Sequence, residues 1–319
     1  MPEFSISFIF ITIDTMKFLF LFLFFNAGFI LWSQNFIDLA NVYWRTSPAN
    51  SRAETNEIVN FNTYAFDAKA PIVLSEKSTL IFGLDIANNN INNTTTNESW
   101  IFSSAMLQFG YELKCNDHFK TLFMLMPKLA TNFTSGIDSK DFQIGGTALS
   151  TMKRGDIDWR FGVYVNSDLF SVMIVPLLGF NWKINEKWRW KLLLPVNLDL
   201  SRVMNKKWIA GFLFVGSNAS YRLRGQLNPN TTYPGNYQPY MDKADNNAWL
   251  YSDIYLTKNI VLNLKAGHSV LRKYRIYDED DKLGLKLGPV NLGNDRFDAP
   301  ILMNNGWSFE TRFIFRLPL

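Results

Sequence analysis

The run WRWKLLLPVNLDLS, Trp188–Ser201, decides the fold class. Trp188, Trp190, Leu192, Leu194, Val196, Leu198 and Leu200 occupy alternate positions, and Arg189, Lys191, Leu193, Pro195, Asn197, Asp199 and Ser201 fill the others. Strand side chains point alternately to opposite faces, so this period of two makes one apolar face and one largely polar face. A helix would scatter the same residues around its circumference.

Working outward, the same pattern recurs. The last segment alternates Trp307, Phe309, Thr311, Phe313, Phe315, Leu317 and Leu319 with Ser308, Glu310, Arg312, Ile314, Arg316 and Pro318. Further runs lie at 79–87, 101–113, 159–166, 172–183, 208–216 and 260–268. Short polar turns recur between them, at Ser75, Cys115, Lys153, Asn185, Met204 and Thr257. Longer loops rich in Asn, Thr, Gly and Pro fall at 87–98, 132–140, 217–246 and 277–306. Short turns at one end and long loops at the other are the wiring of a membrane barrel, with the turns periplasmic.

Composition agrees with that reading. The 319 residues include 10 Trp, 12 Tyr and 28 Phe, yet mean hydropathy is only −0.06. Lipid-facing and interior residues that alternate along a strand average out in this way, which a bundle of apolar helices would not. A single Cys forms no internal disulfide, and with two His it furnishes no structural zinc site. The net charge of +4 comes from 32 basic and 28 acidic residues without a dense basic block, so no nucleic-acid partner is expected.

Met16–Gln34, MKFLFLFLFFNAGFILWSQ, has the basic start, apolar run and small or polar end of a secretory signal peptide. The expected division is therefore 1–34, extension and signal peptide, and 35–319, barrel domain, with Met16 rather than Met1 the expected start codon; the alternative for the apolar run is a retained membrane anchor. The expected fold is an all-β, transmembrane, up-and-down antiparallel β-barrel of about 12 strands, range 10–14. The count is 12 if Trp188–Met204 is one strand and the 217–246 loop supplies none. It is 14 if Pro195 divides that segment and residues 37–46 add a first strand.

Trp159, Trp182, Trp188 and Trp208 stand near short turns, while Trp249 and Trp307 follow long loops. Together they are the expected aromatic girdles. Trp100 departs from this, because the apolar set of its own strand lies on the opposite face; either a bulge intervenes or Trp100 points inward. If the apolar sets face lipid, Arg160, Arg189, Lys191, Asp199, Lys265, Glu310, Arg312 and Arg316 line the lumen. Charges there must pair or stay hydrated. They either fill the barrel with a structural network or line a narrow polar pore.

The chain resembles bacterial outer-membrane β-barrel proteins, most of all an uncharacterised barrel family of the Bacteroidetes type. The resemblance is carried by the signal peptide ending WSQ, by PLLGFNWKINEKWRWKLLLPVNLDL from Pro176, by SNASYRLRG from Ser217 and by LTKNIVLNLKAGHSVLRKYRIYDEDD from Leu256. Phe313, Phe315, Leu317 and Leu319 are similar to the C-terminal signal read by the barrel-assembly machinery, although the last residue is Leu rather than the usual Phe. The resemblance implies an outer-membrane location, lipid and that machinery as partners, and no site residues.

The expected function is a passive or selective channel for small solutes. The alternative is a structural or surface-binding barrel whose loops, with Tyr233, Tyr237 and Tyr240, hold a partner or glycan. A barrel-embedded lipid enzyme ranks third, because the adjacent His268 and Ser269 would point to opposite faces. No enzyme activity, cofactor or metal is expected. The carboxylates of YDEDDK from Tyr277 lack the glycine and ligand spacing of a calcium loop.

Overall fold

The computed structural model describes residues 36–51, 57–134, 136–224, 239–288, 290–294, 296 and 302–318. The signal peptide and the proposed start codon lie outside them.

Strands rise and fall in chain order. They are β1 (Phe36–Ser51), β2 (Ile58–Ser75), β3 (Ser78–Asn93), β4 (Ser99–Asn116), β5 (Phe119–Thr131), β6 (Phe142–Arg154), β7 (Ile157–Ser167) and β8 (Val172–Lys183). Then come β9 (Trp188–Leu194), β10 (Asn197–Asn205), β11 (Trp208–Arg222), β12 (Tyr240–Tyr255), β13 (Ile260–Tyr277), β14 (Leu283–Leu287), β15 (Val290–Asn294) and β16 (Trp307–Pro318). Antiparallel pairing runs from β8 back to β1, crosses to β16, and continues through β13, β12, β11, β10 and β9 to β8 again. Sixteen strands less the β14–β15 hairpin leave a closed ring of 14.

The expected 12 is thus corrected to 14, and the two extra strands come from β1 and from a break at Pro195. Proline has no N–H to give a ladder, and here it sits at a hairpin tip where none is needed. The Val196 N–H closes that tip on the Leu193 carbonyl at 2.7 Å. Leu193 then pairs with Asn197 and Leu192 with Leu198, so the chain reverses without changing which residues face outward. At the seam between β8 and β9 the backbones approach closely. A Cβ on Gly179 would stand 2.0 Å from the Leu192 carbonyl oxygen, which restricts the position to glycine.

Six short turns gather at one end, joining β2–β3, β4–β5, β6–β7, β8–β9, β10–β11 and β12–β13. The first residue of β1 pairs with the last of β16, so both ends of the barrel domain lie there too. The opposite end, here the mouth, carries the longer connections. Part of the expected loops is strand: Asn88–Asn93 completes β3, and residues 217–222 and 240–246 belong to β11 and β12.

The wall is uneven. β9 and β10 have 7 and 9 residues against 15 to 18 in β11, β12 and β13. The β14–β15 hairpin occupies the wall above them, β14 running parallel to β8 at Met173 and Ile174. Released from a wall neighbour, the end of β11 crosses inward until Arg222 pairs with Thr131 of β5. The Asn132 N–H donates to the Arg222 carbonyl at 3.1 Å, and Gln143 Nε2 donates to the Ser220 carbonyl at 3.0 Å. Tyr221, Leu223, Met241 and Tyr274 consequently pack on Val59, Phe61, Ile91 and Phe102 of the opposite wall. Each such fully buried side chain contributes about 1.5–3 kcal/mol. The mouth is closed by an apolar core made from the barrel's own strand ends.

Candidate functional site: the barrel interior

The outer surface is apolar around the ring, with Val42, Phe66, Phe109, Phe123, Phe161, Leu178, Phe212, Leu250, Leu264 and Phe313 exposed. The intervening positions face inward and are mostly polar. All eight residues singled out from the charge pattern lie on this inner face: Arg160, Arg189, Lys191, Asp199, Lys265, Glu310, Arg312 and Arg316.

Register explains which of them meet. On neighbouring strands Lys265 pairs with Glu310 and Glu310 with Arg45, while Arg312 pairs with Asn263 and Tyr43. One carboxylate therefore receives three cations: Glu310 lies 2.6 Å from Arg45 Nη2, 2.8 Å from Lys265 Nζ and 2.9 Å from Arg312 Nη2. The Arg312 guanidinium lies over the Tyr43 ring at 4.2 Å and that of Arg45 over Trp249 at 5.2 Å, so aromatic faces share the positive charge.

Towards the short-turn end Arg316 bridges Asp38, at 2.5 Å, and Asp253, at 2.8 Å. Asp199 accepts from the Tyr251 hydroxyl at 2.8 Å. Arg160 lies on β7 beside Asp158, and Arg189 and Lys191 line β9. Towards the mouth Arg272, fully buried, donates to Asp245 at 3.1 Å and to Ser308 Oγ at 3.0 Å, and the Tyr274 hydroxyl donates to the same Asp245 at 3.0 Å. Ser47 and Ser308 share a further hydroxyl hydrogen bond there.

One stretch of the inner face is different. Leu149, Met173, Val175, Leu177 and Leu193 make an apolar cluster on β6, β8 and β9, joined by Tyr164 and Val196. In ring order β6–β9 lie opposite β13, β16 and β1, with four strands between them one way and three the other.

The tryptophans divide between the faces. Trp159 and Trp208 are exposed on the outside near the short turns, as is Trp307 near the mouth. Trp182 stacks on Trp190 at 6.5 Å and Trp188 lies under Arg202, both half-buried. Trp249 corrects the girdle reading: it is 2% exposed and points inward. Its neighbours Asn247, Tyr251 and Asp253 share its parity, and Leu250 takes the outer face. Trp100 also points inward, and no register shift interrupts the β3–β4 ladder. Trp44, 45% exposed, is an outer tryptophan that the turn-and-loop criterion passed over.

His268 stacks edge-on against Trp307 outside, while Ser269 Oγ contacts the Gly306 backbone inside. The two residues therefore stand on opposite faces. Tyr240 is buried at the mouth, and Tyr233 and Tyr237 lie outside the described residues. Among the described residues no group of three or more His, Cys, Asp or Glu is placed to hold a metal, and no helix is long and apolar enough to cross a membrane.

Fold and interior together define a closed antiparallel β-barrel with an apolar exterior and a charged interior, of the kind that includes bacterial porin and channel folds. The chain belongs to the family described as a domain of unknown function, DUF6268, whose model matches residues 59–283. No curated protein matches it. Among solved structures it is similar to an outer membrane channel from Pseudomonas putida F1, at 8% identity over 90% of this chain and 97% of that one, TM-score 0.45. It is also similar to the NanC porin, at 8% identity over 87% and 100%, TM-score 0.37. A third is the translocator domain of the autotransporter NalP from Neisseria meningitidis, at 12% identity over 88% and 89%, TM-score 0.38.

Proposed function

We propose that the protein is an outer-membrane channel for small solutes, drawn closed at its outer mouth by the ends of β11–β13. One observation carries this reading: the closed wall is apolar outside and charged inside, the reverse of a water-soluble barrel. Phe, Leu, Val and Trp side chains face outward where water would be an unfavourable neighbour, and Arg45, Arg312 and Arg316 face inward. A wall of this polarity suits lipid outside and an aqueous or polar lumen inside.

Export by the N-terminal segment, insertion by the barrel-assembly machinery through β16, and kinship with Bacteroidetes-type barrels are parts of the same proposal. They rest on the sequence features described above. So does the absence of enzymatic activity, supported by the opposed His268 and Ser269. The short turns are then periplasmic and the closed mouth extracellular.

Planar bilayers containing the purified full chain are expected to show discrete conductance steps, each an opening of the β11–β13 mouth core. Folded and boiled samples are expected to migrate differently on a gel. Absence of any conductance across the accessible voltage range would overturn the channel reading. A chain that stays folded and monomeric in buffer without detergent would overturn the membrane placement.

A further inference from the structure

At the mouth the wall can be followed round by two routes. By the short one, the end of β11 meets β5 through the single Arg222–Thr131 pair, and the ring consists of β1–β5 and β11–β13, eight strands. The segment before β16 fills the place between β13 and β1. There the Leu302 N–H donates to the Tyr274 carbonyl and the Asn304 N–H to that of Ser51, both at 2.9 Å. Eight strands enclose a space just wide enough for side chains to fill, and Phe61, Phe102, Tyr221 and Met303 are among those that fill it. The long route takes in β6, β7, β8, β14 and β15 as well, thirteen strands in all. Barrel diameter grows about linearly with strand number, so a mouth closed by the long route is about 1.6-fold wider.

The long route lacks a junction between β15 and β11. Among the described residues β15 pairs with β14 alone. On the edge that β10 covers lower down, no strand lies beside β11 from Ser217 to Tyr221. A strand edge without a neighbour is a template for pairing, and register shows that these two edges fit. Gly179, Leu193, Asn197 and Val215 stand on one rung across β8, β9, β10 and β11. Five residues mouthward of Gly179, Ile174 pairs with Leu287, which pairs with Val290. Five residues mouthward of Val215 is Ser220. Val290 is therefore level with Ser220 and Leu292 with Arg222, in strands that both rise towards the mouth. Parity agrees, since Val290 faces outward and Ser220 has the parity of the outward Phe212. The gap is short, because Lys286 Nζ of β14 already donates to Asn218 Oδ1 of β11 at 2.5 Å.

We infer that the end of β11 is the gate: it leaves β5, moves outward and adds as a parallel strand to the free edge of β15. That movement draws Tyr221 and Leu223 out of the mouth core and turns an eight-strand ring into one of thirteen. This rests on the channel reading and says how its mouth opens. A hinge is present where the moving part begins. The Gly216 N–H makes the last contact with the β9–β10 tip, on the Val196 carbonyl at 2.9 Å. Gly216 pairs with Asn246, and the β12–β13 ladder shifts register between Asn246 and Asn247. A glycine and a bulge on adjoining strands let the sheet bend along one line. In opening, β11 gives up the Gln143 Nε2 bond to the Ser220 carbonyl, 3.0 Å, and the Ser220 Oγ bond to Asp168, 2.9 Å. It gains ladder hydrogen bonds with β15 in exchange, so the polar terms largely cancel. The apolar burial it also gives up makes the closed form the resting one.

Paired cysteines in the full chain carrying C115S test this, since paired strand neighbours lie within disulfide reach. T131C/R222C should lock the gate shut: oxidation should abolish the conductance steps in planar bilayers, and reduction should restore them. S220C/V290C should form its disulfide under slow oxidation, detected by mass spectrometry of the linked peptides, and the oxidised protein should conduct without closures. Should T131C/R222C lose its heat-modifiable migration, Q143C/S220C joined by a short bifunctional thiosulfonate supplies the shut form. Unchanged conductance in the oxidised shut form, or no disulfide in S220C/V290C, overturns the gate and leaves the channel standing. No conductance from any form, with the S220C/V290C disulfide present, overturns the channel and leaves the strand movement standing. No conductance and no such disulfide removes both.

Discussion

Removing the Arg272 side chain tests whether the closed mouth is held by its buried ion pair. Arg272 and Asp245 are 0% and 1% exposed, with 3.1 Å between Nε and Oδ1. R272M keeps most of the side-chain volume but leaves the Asp245 carboxylate with the Tyr274 hydroxyl and without its cation. Ser47 and Ser308 lose their donor as well. Breaking a buried pair from one side costs about 3–5 kcal/mol, most of it the penalty of the charge left behind. With a denaturation slope of about 2 kcal/mol/M in urea, the midpoint of the folded barrel in detergent should fall by about 1.5–2.5 M. The companion substitution D245N removes the stranded charge, so the double variant should recover at least about half of the loss. Hydrogen exchange at Ser220–Arg222 and Met241–Lys243 should accelerate in R272M before the rest of the ring is affected, because those strand ends meet the opposite wall at the mouth and not through the closed ring of the wall. An unmoved midpoint in R272M, or a double variant no better than the single, would refute the assignment.

Three further outcomes follow from placement. In bilayers with brominated acyl chains, the emission of a protein retaining only Trp307 or Trp159 should be quenched strongly, and that of one retaining only Trp249 weakly; equal quenching would contradict the inward position of Trp249. Cys115 is exposed beside a short turn, so a membrane-impermeant maleimide should label it only after the outer membrane of whole cells is permeabilised, and labelling of intact cells would invert the topology. Glu279 accepts from Lys140 Nζ at 2.9 Å, which, with the Arg222 charge 3.6 Å away, holds its carboxyl below the ordinary 4.5. A depressed carboxyl contributes stability above its ordinary value and loses it as pH falls through the lowered one. The 132–141 connection should therefore exchange faster below about pH 4.5 in low salt, and Glu279→Gln should exchange fast already at pH 7 and lose the pH step.

What could be read from the sequence alone is bounded by where an apolar outer face runs along the chain. Six turns and the strands between them were legible because one face there is apolar and outward and the other polar and inward, which imposes the alternation. Asn88–Asn93 reads as a polar loop, yet it is the end of β3, with Asn89, Ile91 and Asn93 buried inside and the residues between them turned to the outside. The same holds for residues 217–222 and 240–246, which fold over the mouth and lack the apolar outer face of the wall. A strand loses its period-two signature once both of its faces meet protein or water. Trp188–Met204 misled in the other direction. A hairpin with a two-residue tip preserves parity, so two short strands read as one long one, and only Pro195 marked the break.

The interior shows why residue identity and residue meaning separate. Parity alone puts Glu310, Arg312 and Arg316 on the inner face. That Glu310 meets Arg45 and Arg316 meets Asp38 depends on β1 closing against β16, contacts between residues 265 and 278 positions apart. No local pattern encodes that register. It is set by the whole ring, since 14 strands must close with one consistent stagger. Shifting β1 by two residues against β16 would keep every side chain on its face yet would place Tyr43 or Ser47 where Arg45 now meets Glu310. Glu310 would then meet two cations rather than three. The partners of Glu310 are thus a property of closure geometry, and a register change that leaves the fold intact is sufficient to alter them.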